Sequence, residues 1–153
     1  GRTGVNILPS TVVRLAKECP NIVGYKAASG NLAQVKELIN ALPENFGVFS
    51  GDDALTVDIM EAGGVGVISV FGNAYPKEMV ALVRAMQEGR VSDARNLHDK
   101  LNELFQLIFV DGNPSGIKAL LNIHGRVENV LRLPLVPACD DTYSDLQQAI
   151  TAL

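Results

Sequence analysis

The chain has 153 residues, 47% hydrophobic and 20% charged, the make-up of an ordinary globular domain long enough to bury a core. Its 13 basic residues are scattered among 17 acidic ones for a net charge of −4, which leaves no electrostatic footprint for nucleic acid. Apolar runs break well before the ~18 residues a membrane helix needs and no secretory signal pattern opens the chain, so a reducing cytoplasm is the expected compartment.

Gly1 to Gly4 reads as a loop, and Asn6 to Ser10 leads into a helix with Pro9 near its first turn. Val12, Leu15, Ala16 and Cys19 recur at helical spacing, which makes Cys19 a small buried hydrophobe, and Pro20 stops the helix. Asn21 to Gly30 then reads as a short strand ending in a lysine and a small-residue turn. By alternation Ile22, Gly24 and Lys26 share one face and Val23, Tyr25 and Ala27 the other. A parallel strand covered on both faces would turn Lys26 inward, with Gly24 leaving room beside the amine.

Asn31 suits the N-cap of the next helix, whose stripe is Leu32, Val35, Leu38, Ile39 and Leu42. Phe46 to Ser50 reads as a second strand, and Gly51-Asp52-Asp53 opens a helix to about Glu61, its aspartates suiting the positive end. Gly63-Gly64 ends that helix and Val65 to Val70 reads as a third strand. After the loop Phe71 to Ala74 comes a helix with Pro76 near its start, and Gly89 closes it. From Arg90 the pattern is helical. A long helix spans Ser92 to about Phe109, and a second runs from Asn113-Pro114 to His124, with Gly125 as its stop. Leu131 to Pro137 is extended but kept out of a central sheet by Pro134 and Pro137. A final helix carries Leu146, Ala149, Ile150 and Leu153, with Thr142 and Asp145 resembling a capping box.

Three strands, each followed by a helix, spell a parallel β/α repeat over residues 1–89, and residues 90–153 form a helical extension. About three strands cannot close a barrel, and a free-standing open sheet would be expected to start with a strand. The fold class is therefore α/β, the second half of a (β/α)8 barrel, with an inward face around Ile22, Gly24, Val48 and Ile68. Such barrels keep their sites in the loops after the strands. On that rim Lys26 is the one nucleophile of weight. An amine attacks a carbonyl when neutral, partial desolvation favours the neutral form, and the product is a Schiff base. Cys19, Cys139, His98 and His124 are isolated, so no metal site is expected. Gly63-Gly64-Val65-Gly66 precedes a strand instead of joining strand to helix, which rules against a phosphate loop.

The segments Gly1-Arg2-Thr3-Gly4, Val23-Gly24-Tyr25-Lys26, Ser50-Gly51-Asp52-Asp53-Ala54, Gly64 to Val70, Asn113-Pro114 with Lys118, and Leu131 to Pro137 occur in that order. Together they closely resemble the C-terminal part of the dihydrodipicolinate synthase family, which shares a Schiff-base aldolase superfamily with N-acetylneuraminate lyase. The resemblance implies a TIM barrel with a C-terminal helical extension, acting as a lyase that condenses pyruvate with aspartate semialdehyde. It implies no cofactor beyond the covalent imine, and a homotetramer in lysine and diaminopimelate biosynthesis. Lys26 matches the imine-forming lysine, and Arg2 the arginine that binds the semialdehyde carboxylate, for which its planar fork is suited. Gly51 matches a glycine lining the substrate space, and Ile68 a position whose backbone borders the pyruvate pocket.

Two departures stand out. Ala27 takes the place of the family's usual glutamate, on the strand face away from Lys26. The family's catalytic tyrosine and threonine pair, and its lysine-feedback contacts, lie upstream of the matched motifs, and Tyr25, Tyr75 and Tyr143 do not match that tyrosine. The expected partner is therefore an N-terminal barrel half of about 130 residues, five β/α units. The alternatives are a different pyruvate-dependent Schiff-base aldolase or hydratase, or a catalytically inert fragment.

Overall fold

A computed structural model describes residues 3–151 and Leu153. Three short strands, β1 (Gly24–Ala27), β2 (Gly47–Ser50) and β3 (Gly66–Val67), pair in parallel in the order β1-β2-β3. Helix α1 (Pro9–Glu18) precedes β1, α2 (Leu32–Ala41) joins β1 to β2, α3 (Thr56–Glu61) joins β2 to β3, and α4 (Pro76–Gln87) follows β3. The extension consists of α5 (Val91–Leu107), α6 (Ser115–Ile123) and α7 (Asp140–Thr151).

Local chemistry sets most boundaries. Pro9 starts α1 where its missing N–H costs nothing, and the Asn31 side chain accepts the Gln34 N–H at 3.1 Å to cap α2. Gly89 and Gly125 turn the chain after α4 and α6 in the left-handed region, at φ 74° and 66°.

Several expectations need correction. The third strand is only Gly66–Val67, because from Ile68 the chain bends into a 3-10 turn at Phe71–Asn73. The helix expected from Gly51 starts at Thr56, since Asp52 and Asp53 spend their side chains on loop N–H groups instead of a helix start. The capping box at Thr142 is absent: α7 begins at Asp140, so Thr142 lies inside its first turn, buried, with its hydroxyl 3.3 Å from Cys139 Sγ. Cys19 is only half-buried at the end of α1. Leu153, expected on the inner face of the last helix, lies past its end and 53% exposed.

Two residues expected on the Lys26 face lie on the other: Ile22, which precedes the start of β1, packs with Val12, Leu38 and Phe46 on the helix side, and strand register turns Val48. Gly24 pairs with Gly47, Lys26 with Phe49, and Phe49 with Gly66. Val48 is level with Tyr25, so it points with Ala27 toward the helices and is 3% exposed, not onto the Lys26 face where it was expected. Ala27, Val35, Val48 and Ile59 form the core between the sheet and its helices. The largest cluster joins Phe71, Ala74 and Met79 to Leu101, Leu104, Phe105, Ile108, Leu120 and Leu146. The core thus runs unbroken from the β/α part into the helical extension.

Candidate active site

Alternation sorts the sheet into two faces. Tyr25, Ala27, Val48, Ser50 and Val67 point toward the helices, and Gly24, Lys26, Gly47, Phe49 and Gly66 point the other way. Continuing the register one step past the strand ends places Gly51 and Ile68 on the lysine's face. Three of the residues expected in the site, Lys26, Gly51 and Ile68, therefore stand together at the C-terminal ends of adjacent strands. Arg2, the fourth, lies outside the described residues.

The contact between Gly51 and Lys26 is tight. A Cβ on Gly51 would fall 2.7 Å from the Ala27 carbonyl oxygen and 3.0 Å from Lys26 Cε. Only a residue without a side chain lets the β2 loop run beside the lysine stem. The Gly51 N–H donates to that same Ala27 oxygen at 2.7 Å, fixing the two loops to each other. Phe49 was not foreseen in the site. Its ring lies over Gly24 and Gly47, so close that a Cβ on Gly47 would meet it at 3.1 Å and one on Gly24 at 3.5 Å, and it borders Gly66, where a Cβ would lie 3.8 Å away. The space beside the amine at Gly24 is thus floored by this ring. The signal was present in the register, since the alternation of β2 places Phe49 beside Lys26 once Gly24 is set against Gly47.

This face is open. Lys26 is exposed, Ile68 is 48% exposed, and the desolvation expected for the amine is not supplied by the described residues. Beyond Lys26 lies a groove of about 1040 Å³, with Ala28, Gly51 and Asp52 on one wall and Asp111, Asn113 and Ser115 of the extension on the other. The extension therefore contributes to the rim. Asp111 accepts the Cys139 N–H at 2.8 Å, and this bond, with further ones from Thr142 and Cys139, holds its carboxyl below the ordinary range.

None of the tyrosines turns toward the lysine amine. Tyr25 is on the opposite strand face, Tyr143 donates its hydroxyl to Asn122 Oδ1 at 2.7 Å, and Tyr75 stacks on Phe71. Burial, with Glu78 nearby, raises the Tyr75 phenol above its usual range. His98 meets the Ala54 carbonyl at 2.7 Å and packs on Phe105. Among the described residues no cluster of three His, Cys, Asp or Glu side chains converges, and no helix is long and apolar enough to cross a membrane.

All of residues 1–153 match the dihydrodipicolinate synthetase family. The chain is 47% identical over 153 residues to the 4-hydroxy-tetrahydrodipicolinate synthase of Phocaeicola vulgatus, covering all of this chain and 52% of that protein. It superposes with a TM-score of 0.95 and 41% identity on the dihydrodipicolinate synthase of Thermotoga maritima, over 97% of this chain and 52% of that one. A further match, at TM-score 0.93 and 36% identity over 98% of this chain and 51% of the other, is the chloride-inhibited dihydrodipicolinate synthase of Acinetobacter baumannii complexed with pyruvate. The chain spans about half the length of the relatives it matches, and its three β/α units with their helical extension account for half of a β/α barrel of that type. The sequence match over its whole length and the superposition agree: this chain belongs to the dihydrodipicolinate synthetase family.

Proposed function

We propose that the chain, joined by an upstream barrel half, is a lyase that condenses pyruvate with aspartate semialdehyde in lysine and diaminopimelate biosynthesis, through a Schiff base on Lys26. The observation that carries this reading is the Lys26–Gly51 contact. It stands a primary amine at a strand end beside a loop position where a Cβ would crowd it, and the Gly51 N–H to Ala27 carbonyl bond ties the two loops together. The amine adds to the ketone of pyruvate, water leaves, and the iminium withdraws electrons so that the methyl carbon loses a proton and becomes an enamine nucleophile. That carbon then attacks the aldehyde. Arg2 is read as the receiver of the semialdehyde carboxylate and Ile68 as a wall of the pyruvate space.

An upstream half accounts for what this face lacks. Val65 and Ile68 are exposed at 43% and 48%, and a groove of about 600 Å³ lined by Phe49, Val65, Val67, Met79, Val80 and Val83 runs along the free edge of β3. Strands added there would pair with that edge, cover the open face and desolvate the amine. The cytoplasm and a homotetramer belong to the same reading.

Borohydride reduction of the completed protein with pyruvate tests the imine: the peptide containing Lys26 should gain a reduced pyruvyl group, and Lys26→Ala should abolish the gain. Trapping that persists in Lys26→Ala at the wild-type rate would overturn the assignment. A coupled assay across aldehydes tests the acceptor. Turnover with another aldehyde and none with the semialdehyde would favour a different pyruvate-dependent aldolase. Arg2→Ala should lower kcat/KM for the semialdehyde roughly ten- to a hundred-fold, the loss of one charged hydrogen-bonding partner, and leave pyruvate trapping intact.

A further inference from the structure

Asp53 is a carboxylate buried to 1% exposure, one residue beyond the loop pair that faces Lys26. A buried charge is costly unless its lone pairs are satisfied, and every donor it uses here comes from the neighbouring rim loop. Oδ1 accepts the Ser69 hydroxyl, while Oδ2 accepts the N–H groups of Val70 at 3.1 Å and Phe71 at 3.0 Å. Ser69 passes the link on, its Oγ accepting the Gly72 N–H at 2.7 Å. A Cβ on Gly72 would come within 3.0 Å of that Oγ, so a larger residue there would press on the Ser69 hydroxyl.

The two ends of this connection are both anchored. On the Asp53 side, Ser50 Oγ donates to the Asp52 carbonyl at 2.6 Å and accepts the Asp52 N–H at 3.1 Å, and Asp52 Oδ1 accepts the Ala54 N–H at 3.0 Å. On the other, Phe71 is fully buried, stacked on Tyr75 and edge-on to Phe105. Between those anchors lies Ile68, where regular pairing has just ended: its N–H donates to the Ser50 carbonyl at 2.8 Å, and the chain then leaves the sheet. Beyond that point no ladder continues, and the carboxylate bonds the backbone at Val70 and Phe71, beside the turn's own bonds from Asn73 and Ala74.

We propose that Asp53 is a positioning residue: its carboxylate gathers the Ser69–Phe71 turn against the Gly51 loop and so holds the Ile68 wall in place opposite Lys26. Three donors converge on two acceptor oxygens, an arrangement an amide cannot satisfy, because its nitrogen would face a hydroxyl or N–H donor. The inference rests on the reading of Lys26 as the pyruvate amine.

The test compares wild type, Asp53→Asn and Ser69→Ala in the protein carrying its upstream half, by steady-state kinetics, borohydride trapping and thermal melting. Asp53→Asn should raise the KM for pyruvate about ten-fold, as expected for one lost charged hydrogen bond, with kcat per folded molecule and the semialdehyde KM little changed. Ser69→Ala should shift the same constant in the same direction by less, and it decides the matter if Asp53→Asn fails to fold. Unchanged pyruvate KM in the variants that fold, or activity lost only in proportion to the unfolded fraction, would overturn the positioning role. Wild type that traps no pyruvate would overturn the functional reading and this role with it, whereas trapping in wild type with unaltered variants overturns this role alone.

Discussion

On the helix-covered face of the sheet, Ala27 and Val48 are 3% exposed, Ser50 is fully buried, and Val35 and Ile59 close over them. On the opposite face, across the same few residues, Lys26 and Ile68 stand open and Gly24, Gly47, Gly51 and Gly66 leave the sheet thinly clothed. One face has the composition of a core and the other that of a surface cleared to bring an exposed amine, a ring and two loops close together. The contrast separates what holds this half together from what it does. It also locates what the half lacks, since strands this short are seldom stable with both edges free and one face bare.

The largest effect should come from completing the open face. Alone, the chain leaves Val65 43% and Ile68 48% exposed, and each apolar side chain left wet forgoes about 1.5–3 kcal/mol. The chain by itself is expected neither to melt cooperatively as a monomer nor to turn over substrate, and adding the upstream half should restore cooperative melting, solubility and activity together. A purified 16.3 kDa species that is monomeric, melts sharply and traps pyruvate would break the comparison at its root.

Next come paired substitutions on the two faces of the completed protein. Ile59→Ala, beneath the covered face, should cost about 2–5 kcal/mol of stability and leave trapping per folded molecule unchanged. Gly51→Ala, on the open face, should instead slow imine trapping per folded molecule, with a smaller cost in stability. Its new methyl would sit 3.0 Å from Lys26 Cε and 2.7 Å from the Ala27 oxygen. Relieving that overlap costs about 1–3 kcal/mol, felt at the site as a slower rate of imine trapping. Chemical denaturation and trapping rates on both variants would show whether the faces are as separable as their burial suggests.

Which parts were legible in the sequence follows the same division. The parallel β/α repeat, the Asn31 cap and the proline starts were readable, because periodicity and local chemistry determine them, whereas Gly51 and Ile68 were set beside Lys26 by the family resemblance. Register was not. Nothing local tells that Gly24 lies level with Gly47, and without that pairing Val48 was set on the wrong face and Phe49 overlooked. The aspartates after Gly51 misled for a related reason. A helix N-terminus attracts acidic residues, but the Asp53 carboxylate found three donors on a loop sixteen to eighteen residues further along, which no spacing rule reveals. Thr142 likewise looked like a cap because the Asp111–Cys139 bond that helps fix the start of α7 joins residues far apart in the chain.

The smallest effect tests how firmly the extension's share of the rim is held. Asp111 lines the groove beyond Lys26, and its carboxyl is held below the ordinary range first by the Cys139 N–H and then by Thr142 and Cys139 side-chain contacts. A carboxylate with a folded-state pKa below its unfolded value contributes stability above the unfolded pKa and loses it as pH falls through the folded one. The contribution should therefore be constant at neutral pH and fade only on acidification through and below the ordinary carboxylate range. Because Asp111 is exposed and its bonds compete with water, Asp111→Asn should lower the melting temperature only slightly near neutrality, with the two melting curves converging at the acid end. A gap between them that stayed constant down to the lowest pH would show that the side chain acts through shape alone. A gap that widened would reverse the sign of the linkage and detach the loop's hold on α7 from the ionisation of Asp111.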